Sequence, residues 1–252
     1  MNSKIIRLNP KSRMPTFKAL KLDFDKLEQT GYQLIRGYGV DLNKLENELS
    51  VLSNERLFSS KRIGGNCHRF RVLPHSLNLS EQANVGGYHT DFMFQPDPPS
   101  HIALLCLKTD PKYPFYGRNQ IVNLKEFLNR VESIYGITKE YLEQLEIVYD
   151  FADKGLIKQP MLARTCNGTI FKFHESLMCK ERCPPPLNGI PFSNAIQSVF
   201  NEISQDLCLN YGDLLIISNH HSLHRRSECS IKYSEDGKSF ESRELATFRF
   251  YI

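Results

Sequence analysis

His89-Thr90-Asp91 sets an imidazole and a carboxylate two residues apart. On an extended segment, residues i and i+2 project to one face. Both side chains can then reach one metal ion while Thr90 points away. Short H-x-D motifs recur by chance, so the pair acquires meaning only with a third ligand. Asn219-His220-His221-Ser222-Leu223-His224 offers one, after the turn at Gly212-Asp213 and the apolar run Leu214–Ile217. His224 opens the next extended segment, where a neighbouring strand can bring it against His89 and Asp91. His220 and His221 read as loop residues or as supports for the ligands. Two histidines and one carboxylate on one face of an ion leave open positions, an arrangement suited to iron(II) and oxygen chemistry.

A second element lies near the C-terminus. The run Arg243-Glu244-Leu245-Ala246-Thr247-Phe248-Arg249-Phe250-Tyr251-Ile252 places two arginines in an otherwise apolar strand. A guanidinium there can meet a buried carboxylate with two parallel charge-assisted hydrogen bonds. A dicarboxylate such as 2-oxoglutarate, chelating iron at its keto-acid end, presents a distal carboxylate of that kind. Arg243 and Arg249 are both candidates.

These residues need elements to position them. Residues 16–29 read in part as a helix stopped near Gly31, and Tyr32–Arg36 as a short strand ending at Gly37. Leu42, Leu45, Leu49, Leu52 and Leu57 recur at helical spacing within 41–58, a stripe best explained by core packing. From about residue 85 the texture changes to short apolar runs separated by Gly, Pro and Asn: YHTDFMF, HIALLCLK, NQIVNL, TIFKFH, DLLIISN and LATFRFYI. Such runs read as antiparallel strands. Helical insertions are expected around 124–148 and 193–207, and Pro184–Pro186 marks a loop. The expected fold is mainly β with flanking helices, a double-stranded β-helix or jelly roll. One domain is expected over 1–252, helical to about residue 60, with the jelly-roll core over about 85–252.

Composition narrows the functional classes. An apolar fraction of 40% is that of a globular chain, and a net charge of +4 without blocks of like charge argues against a nucleic-acid partner. Seven cysteines, an odd number without framework spacing, suit reduced thiols. The close pair Cys179 and Cys183 lacks a second pair to complete a zinc site. No apolar run approaches membrane-spanning length, and MNSKIIRLNPKSRMP lacks the long apolar stretch of a signal peptide. A cytoplasmic protein without a membrane partner is expected, and oligomeric state is left undetermined.

In order and spacing, three motifs resemble the taurine dioxygenase family of the clavaminate synthase-like superfamily. They are H-T-D, G-D-L-L-x-x-x-N-x-x-x-x-H-x-R and a C-terminal R-x-L. Gly31-Tyr32-Gln33-Leu34-Ile35-Arg36-Gly37 is similar to that family's early strand, so the resemblance spans roughly residues 30–250. It implies an Fe(II)- and 2-oxoglutarate-dependent dioxygenase that consumes O2, releases succinate and CO2, and hydroxylates a small molecule such as an amino acid or a derivative. It further implies His89, Asp91 and His224 as iron ligands, Arg243 as the anchor of the distal carboxylate, and Arg226 as an arginine near the active site. The family's second arginine, four residues on, is replaced by Thr247, which disfavours a sulfonate substrate. The family threonine that helps hold the cosubstrate is replaced within Gly117-Arg118-Asn119-Gln120, and 224–243 is long, so Arg249 stays open as the cosubstrate arginine. Asp91 disfavours the halogenating relatives, in which a small residue makes room for chloride. Arg69, Arg71, Arg118 and Arg226 are candidates to grip a substrate carboxylate, and Gln120 and Asn119 to read an amide or amine. The alternative is a non-catalytic, metal-bound jelly-roll binding module.

Overall fold

The computed structural model describes residues 20–59, 65–151, 155–165 and 168–252. Residues 16–19 of the first expected helix, the N-terminal stretch MNSKIIRLNPKSRMP before them and Cys166 lie outside the described residues.

Local chemistry sets the element boundaries. Helix α1 (Phe24–Thr30) starts where the Asp23 carboxylate accepts from Lys26 N–H, and it ends at Gly31, φ 82°. A Cβ on Gly31 would also lie 2.9 Å from Ser222 Cβ, so this turn needs glycine twice over. Strand β1 (Tyr32–Ile35) follows, then α2 (Leu42–Leu52), capped by Asp41. Next come β2 (Cys67–Arg71), β3 (His101–Lys108) and β4 (Asn119–Asn123). Asn123 caps α3 (Leu124–Tyr135), and Thr138 caps α4 (Lys139–Gln144). Two hairpins follow, β5 (Glu146–Phe151) with β6 (Gly155–Pro160) and β7 (Leu162–Thr165) with β8 (Gly168–Phe171). The chain continues through α5 (Phe192–Ile203), β9 (Gln205–Leu207), β10 (Leu214–Ser218) and β11 (Ser222–Arg226). It ends with β12 (Ile231–Tyr233), β13 (Phe240–Ser242) and β14 (Glu244–Phe250).

The fold is mainly β, with antiparallel sheets. A five-stranded sheet runs β1-β10-β3-β14-β2, and a three-stranded sheet runs β11-β4-β9. The second sheet is extended past β11 by two segments outside named strands. His89 and His224 exchange both backbone hydrogen bonds at 3.0 Å, and Thr90 N–H donates to Phe173 O at 3.0 Å.

The two sheets face each other across Ile102, Leu104, Cys106, Ile121, Leu207, Leu215, Ile217 and Leu245. The outer face of the larger sheet buries Ala103, Leu105, Leu214, Ile216, Ala246 and Phe248 against Leu27 of α1 and Leu45 and Leu49 of α2. Val122 and Leu223, on the outer face of the smaller sheet, pack with Phe127 of α3 and Phe200 of α5. Burying each such side chain contributes about 1.5–3 kcal/mol, so the strands that carry the site are held from both faces. Among the described residues no helix is long and apolar enough to cross a membrane.

Several expectations are corrected. The run YHTDFMF is not a strand: His89 makes isolated bridges only, and residues 91–94 form a turn in which Phe92 takes φ 57°. The insertion around 124–148 is two short helices separated by Gly136 in the left-handed region, with β5 already begun at Glu146. Helix α2 stops at Leu52, and the helix expected over 193–207 ends at Ile203 before β9. Strand β2 joins the larger sheet by pairing with β14, a strand whose alternation the polar residues His68, Arg69 and Arg71 mask in the sequence.

Candidate metal centre

Three neighbouring segments bring three histidines into one row. His89 lies between His174 and His224, bridged to each in antiparallel register, so the three side chains share a face. Ring centroids are 4.9 Å apart for His89 and His174 and 4.4 Å apart for His89 and His224. On β4, Ile121 pairs with His224, and its burial between the sheets shows that this face is the interior one. His89 Nδ1–H donates to Gly87 O at 2.9 Å, which leaves the Nε2 lone pair free for a ligand role.

Asp91 meets this row from a turn. Its Oδ1 lies 3.4 Å from His89 Nε2 and 3.6 Å from His224 Nε2. The three ligand atoms all lie within 4.8 Å of one another. Metal–ligand bonds of about 2.1 Å at right angles would set neighbouring ligand atoms about 3 Å apart, and the two carboxylate–imidazole separations lie within a few tenths of an ångström of that. Asn219 fixes the backbone of Asp91. Its Oδ1 accepts from Asp91 N–H at 2.8 Å, and its Nδ2 donates to Asp91 O at 3.0 Å and Pro99 O at 2.8 Å. The side-chain amide thus replaces the strand partner that the turn lacks.

The electrostatics favour ligation. Burial opposes ionisation of Asp91, but the Arg249 guanidinium and the adjacent His89 and His224 rings together outweigh it. They hold the carboxyl well below its usual range. Burial, reinforced by His89, pushes His224 down to about 3, so its imidazole is neutral and able to ligate at neutral pH. Arg249 donates from Nε to Asp91 Oδ2 and lies over the Phe92 ring at 5.1 Å.

Arg243 is 4% exposed, and its Nη2 donates to Asn119 Oδ1 at 3.1 Å. Among the described residues no carboxylate forms an ion pair with it. Asn119 Nδ2 is likewise buried without a partner. A buried cation without a counter-ion is costly, so a guanidinium and an amide left in this state fit an anionic ligand. Asn119 lies two residues along β4 from Ile121, the partner of His224, a step of about 7 Å along a strand. That separation matches the length of a short dicarboxylate with its other end at the metal. The residues present therefore fit both an iron(II) ion and 2-oxoglutarate.

No known family model matches the sequence, and no curated protein does. Solved structures match in fold. An asparagine oxygenase in complex with Fe(II), 2S,3S-3-hydroxyasparagine and succinate is 16% identical over 75% of this chain, with a TM-score of 0.53. The alignment covers 57% of that protein's chain. PvcB, an Fe, alpha-ketoglutarate dependent oxygenase from an isonitrile synthetic pathway, is 14% identical over 91% of this chain and 78% of its own, with a TM-score of 0.65. A taurine dioxygenase from Burkholderia xenovorans is 13% identical over 92% of this chain and 83% of its own, with a TM-score of 0.58. The chain has the fold of these oxygenases.

Within that oxygenase fold, the structure sorts the sequence-derived candidates. It brings His89, Asp91, His224 and Arg249 together, and it buries Arg243 beside Asn119. Arg118 and Gln120 face the other way. Both bind the carboxylate of Asp206 on β9, and Gln120 also accepts from Arg225 Nε at 2.6 Å. Strand alternation places them opposite Asn119 and Ile121, so the structure does not bring them to the metal centre. Arg226 is spent on the backbone carbonyls of Ser80, Gln82 and Asn84, where it ties down the segment that leads to His89. Arg69 and Arg71 are exposed, paired with Glu244 at 3.9 Å and with the Phe240 carbonyl at 2.9 Å. His220 Nε2–H donates to Pro98 O at 3.0 Å, and His221 Nδ1 lies 3.3 Å from Ser218 Oγ. Sequence reasoning missed His174 and the clamp by Asn219. The alternation Phe171-Lys172-Phe173-His174 carried a signal for the first: both phenylalanines enter the outer core, which turns His174 inward.

Proposed function

We propose that the chain is an iron(II)- and 2-oxoglutarate-dependent dioxygenase of the taurine dioxygenase type, built on a jelly roll that occupies the chain as one domain. The convergence of His89 Nε2, His224 Nε2 and Asp91 Oδ1 on one point inside the fold carries this reading. A facial set of two histidines and one carboxylate suits iron(II) and leaves positions for cosubstrate and oxygen. Asparagine oxygenase binds Fe(II) and succinate on the same fold, which supports the cofactor assignment, and its hydroxyasparagine supports an amino-acid-like substrate.

The metal and 2-oxoglutarate together supply the oxidising chemistry: substrate, O2 and 2-oxoglutarate give hydroxylated substrate, succinate and CO2. The chain's residues bind and orient. His89, Asp91 and His224 hold the metal, Asn219 holds Asp91, and Arg243 with Asn119 takes the distal carboxylate by charge-assisted hydrogen bonds. Arg249 is committed to Asp91, which leaves Arg243 as the cosubstrate arginine. Phe92 and Phe58, with ring centroids 4.4 Å apart, cover the Arg249 side of the site and keep water from the ion pair. The carboxylate of Asp91 occupies the position that a halide would need, which favours hydroxylation.

Aerobic incubation with Fe(II), ascorbate, labelled 2-oxoglutarate and a panel of amino acids tests the proposal. Succinate formed in step with one hydroxylated amino acid is expected. Absence of succinate across the panel, in protein shown to bind iron(II), would leave a metal-bound binding module.

A further inference from the structure

The Asp91–Arg249 pair does more than neutralise a buried carboxylate. Arg249 is 5% exposed, is joined to Oδ2 through Nε, and has its Nη1 buried without a partner. Asp91 Oδ2 is thereby occupied, while Oδ1 faces both histidine Nε2 atoms. The carboxylate is presented to a metal by one oxygen, with the other turned away from it.

The formal charges have a consequence. Ligating imidazoles are neutral, so the three ligands contribute one negative charge and Arg249 cancels it. A divalent ion bound there alone leaves two positive charges uncompensated beside a guanidinium, in a site covered by Phe92. Charges are felt strongly where water is excluded. A dianion in the same site offsets two of these positive charges, with one carboxylate at the metal and the other at Arg243. We propose that Arg249 is a positioning residue that makes the divalent metal and a dianionic cosubstrate bind as a unit. It holds Asp91 as a one-oxygen ligand, and its charge weakens metal binding until the dianion arrives. This rests on the iron and 2-oxoglutarate reading above and deepens it.

Mn(II) titrations followed by the EPR signal of the free ion, with and without 2-oxoglutarate, test the inference without turnover. In the unsubstituted protein, 2-oxoglutarate should tighten Mn(II) binding by about tenfold or more, within the ordinary range of coupling between sites. Arg249→Gln should bind Mn(II) alone several-fold more tightly and lose a comparable factor of the coupling. Arg249→Lys keeps the charge and should keep the coupling, which separates the electrostatic role from a folding defect. Circular dichroism and the melting temperature establish that each variant is folded. Unchanged coupling in folded Arg249→Gln, or lost coupling in folded Arg249→Lys, overturns the inference. Failure of the unsubstituted protein to bind Mn(II) at all, with or without 2-oxoglutarate, would instead remove the metal site itself and the inference with it.

Discussion

Asn219 and Asp91 are joined edge to edge: the asparagine side chain accepts from the aspartate N–H and donates to its carbonyl, at 2.8 and 3.0 Å. A side-chain amide here does what a neighbouring strand would do, and it lets the Asp91 carboxylate project from a turn. Asn219 is 1% exposed, so the clamp works without competition from water.

Asn219→Ala should therefore destabilise the protein and loosen the metal together. Leaving buried backbone groups unpaired costs about 1–3 kcal/mol for each group. Supports of this kind affect metal affinity by about 10–100-fold. Urea denaturation and Mn(II) titration check the two effects, and Asn219→Asp, which retains the acceptor but not the donor, should fall between.

Asp91→Ala should cost more than its lost contacts, because it strands Arg249 inside the protein. Removing one partner of a buried ion pair costs about 3–5 kcal/mol. The double substitution Asp91→Leu with Arg249→Met should recover most of that stability while binding no metal. Equal stability of the single and double variants in chemical denaturation would contradict this.

Arg243→Gln should leave the metal site intact and damage the dicarboxylate site. Loss of a buried charged hydrogen-bonding partner costs about 2–5 kcal/mol, or about 30-fold and upward in affinity. 2-Oxoglutarate binding in the presence of Mn(II) should weaken by that factor, with Mn(II) binding alone unchanged. Gly117→Ala should mimic it in part. Gly117 has φ 67°, and a Cβ there would lie 3.0 Å from Arg243 Cδ and 2.9 Å from Asp110 Cβ.

Acid should destabilise the metal-free protein before its carboxylates titrate. Burial pushes His174 and His224 down to about 3 and His101 to about 4, from an ordinary 6.5. The unfolded chain therefore binds more protons than the folded one between those values and 6.5. Stability is complete above about pH 6.5 and falls as the pH drops toward 4, each histidine adding up to about 1.4 kcal/mol per pH unit. Thermal melts in a chelator across pH 7 to 4.5 should show the decline, and His101→Phe should make it shallower. A flat profile would contradict the assignment of these rings as buried and neutral.

Much of this was legible from residue order. The strands β3, β4, β10 and β14 announce themselves as apolar runs, because both of their faces are covered. The cluster of His89, Asp91 and His224 can be named from type and spacing, although strand alternation is not what brings the first two together. They converge because Phe92 turns the chain and Asn219 holds it, not because a strand alternates. The outward placement of Gln120 and Arg118 is not legible in the sequence, because one register step along β4 separates an interior residue from an exterior one, and no local signal distinguishes Asn119 from its neighbours. His174 becomes a neighbour of His89 only through a pairing of residues 85 positions apart, which depends on tertiary contacts that periodicity does not report.

The most direct test is a crystal structure with Mn(II) and 2-oxoglutarate bound, with the metal located by anomalous scattering. One Mn(II) is expected at about 2.2 Å from His89 Nε2, His224 Nε2 and a single oxygen of Asp91, with the distal carboxylate against Arg243 and Asn119. Metal elsewhere in the molecule, or a dicarboxylate that leaves Arg243 unpaired, would contradict it.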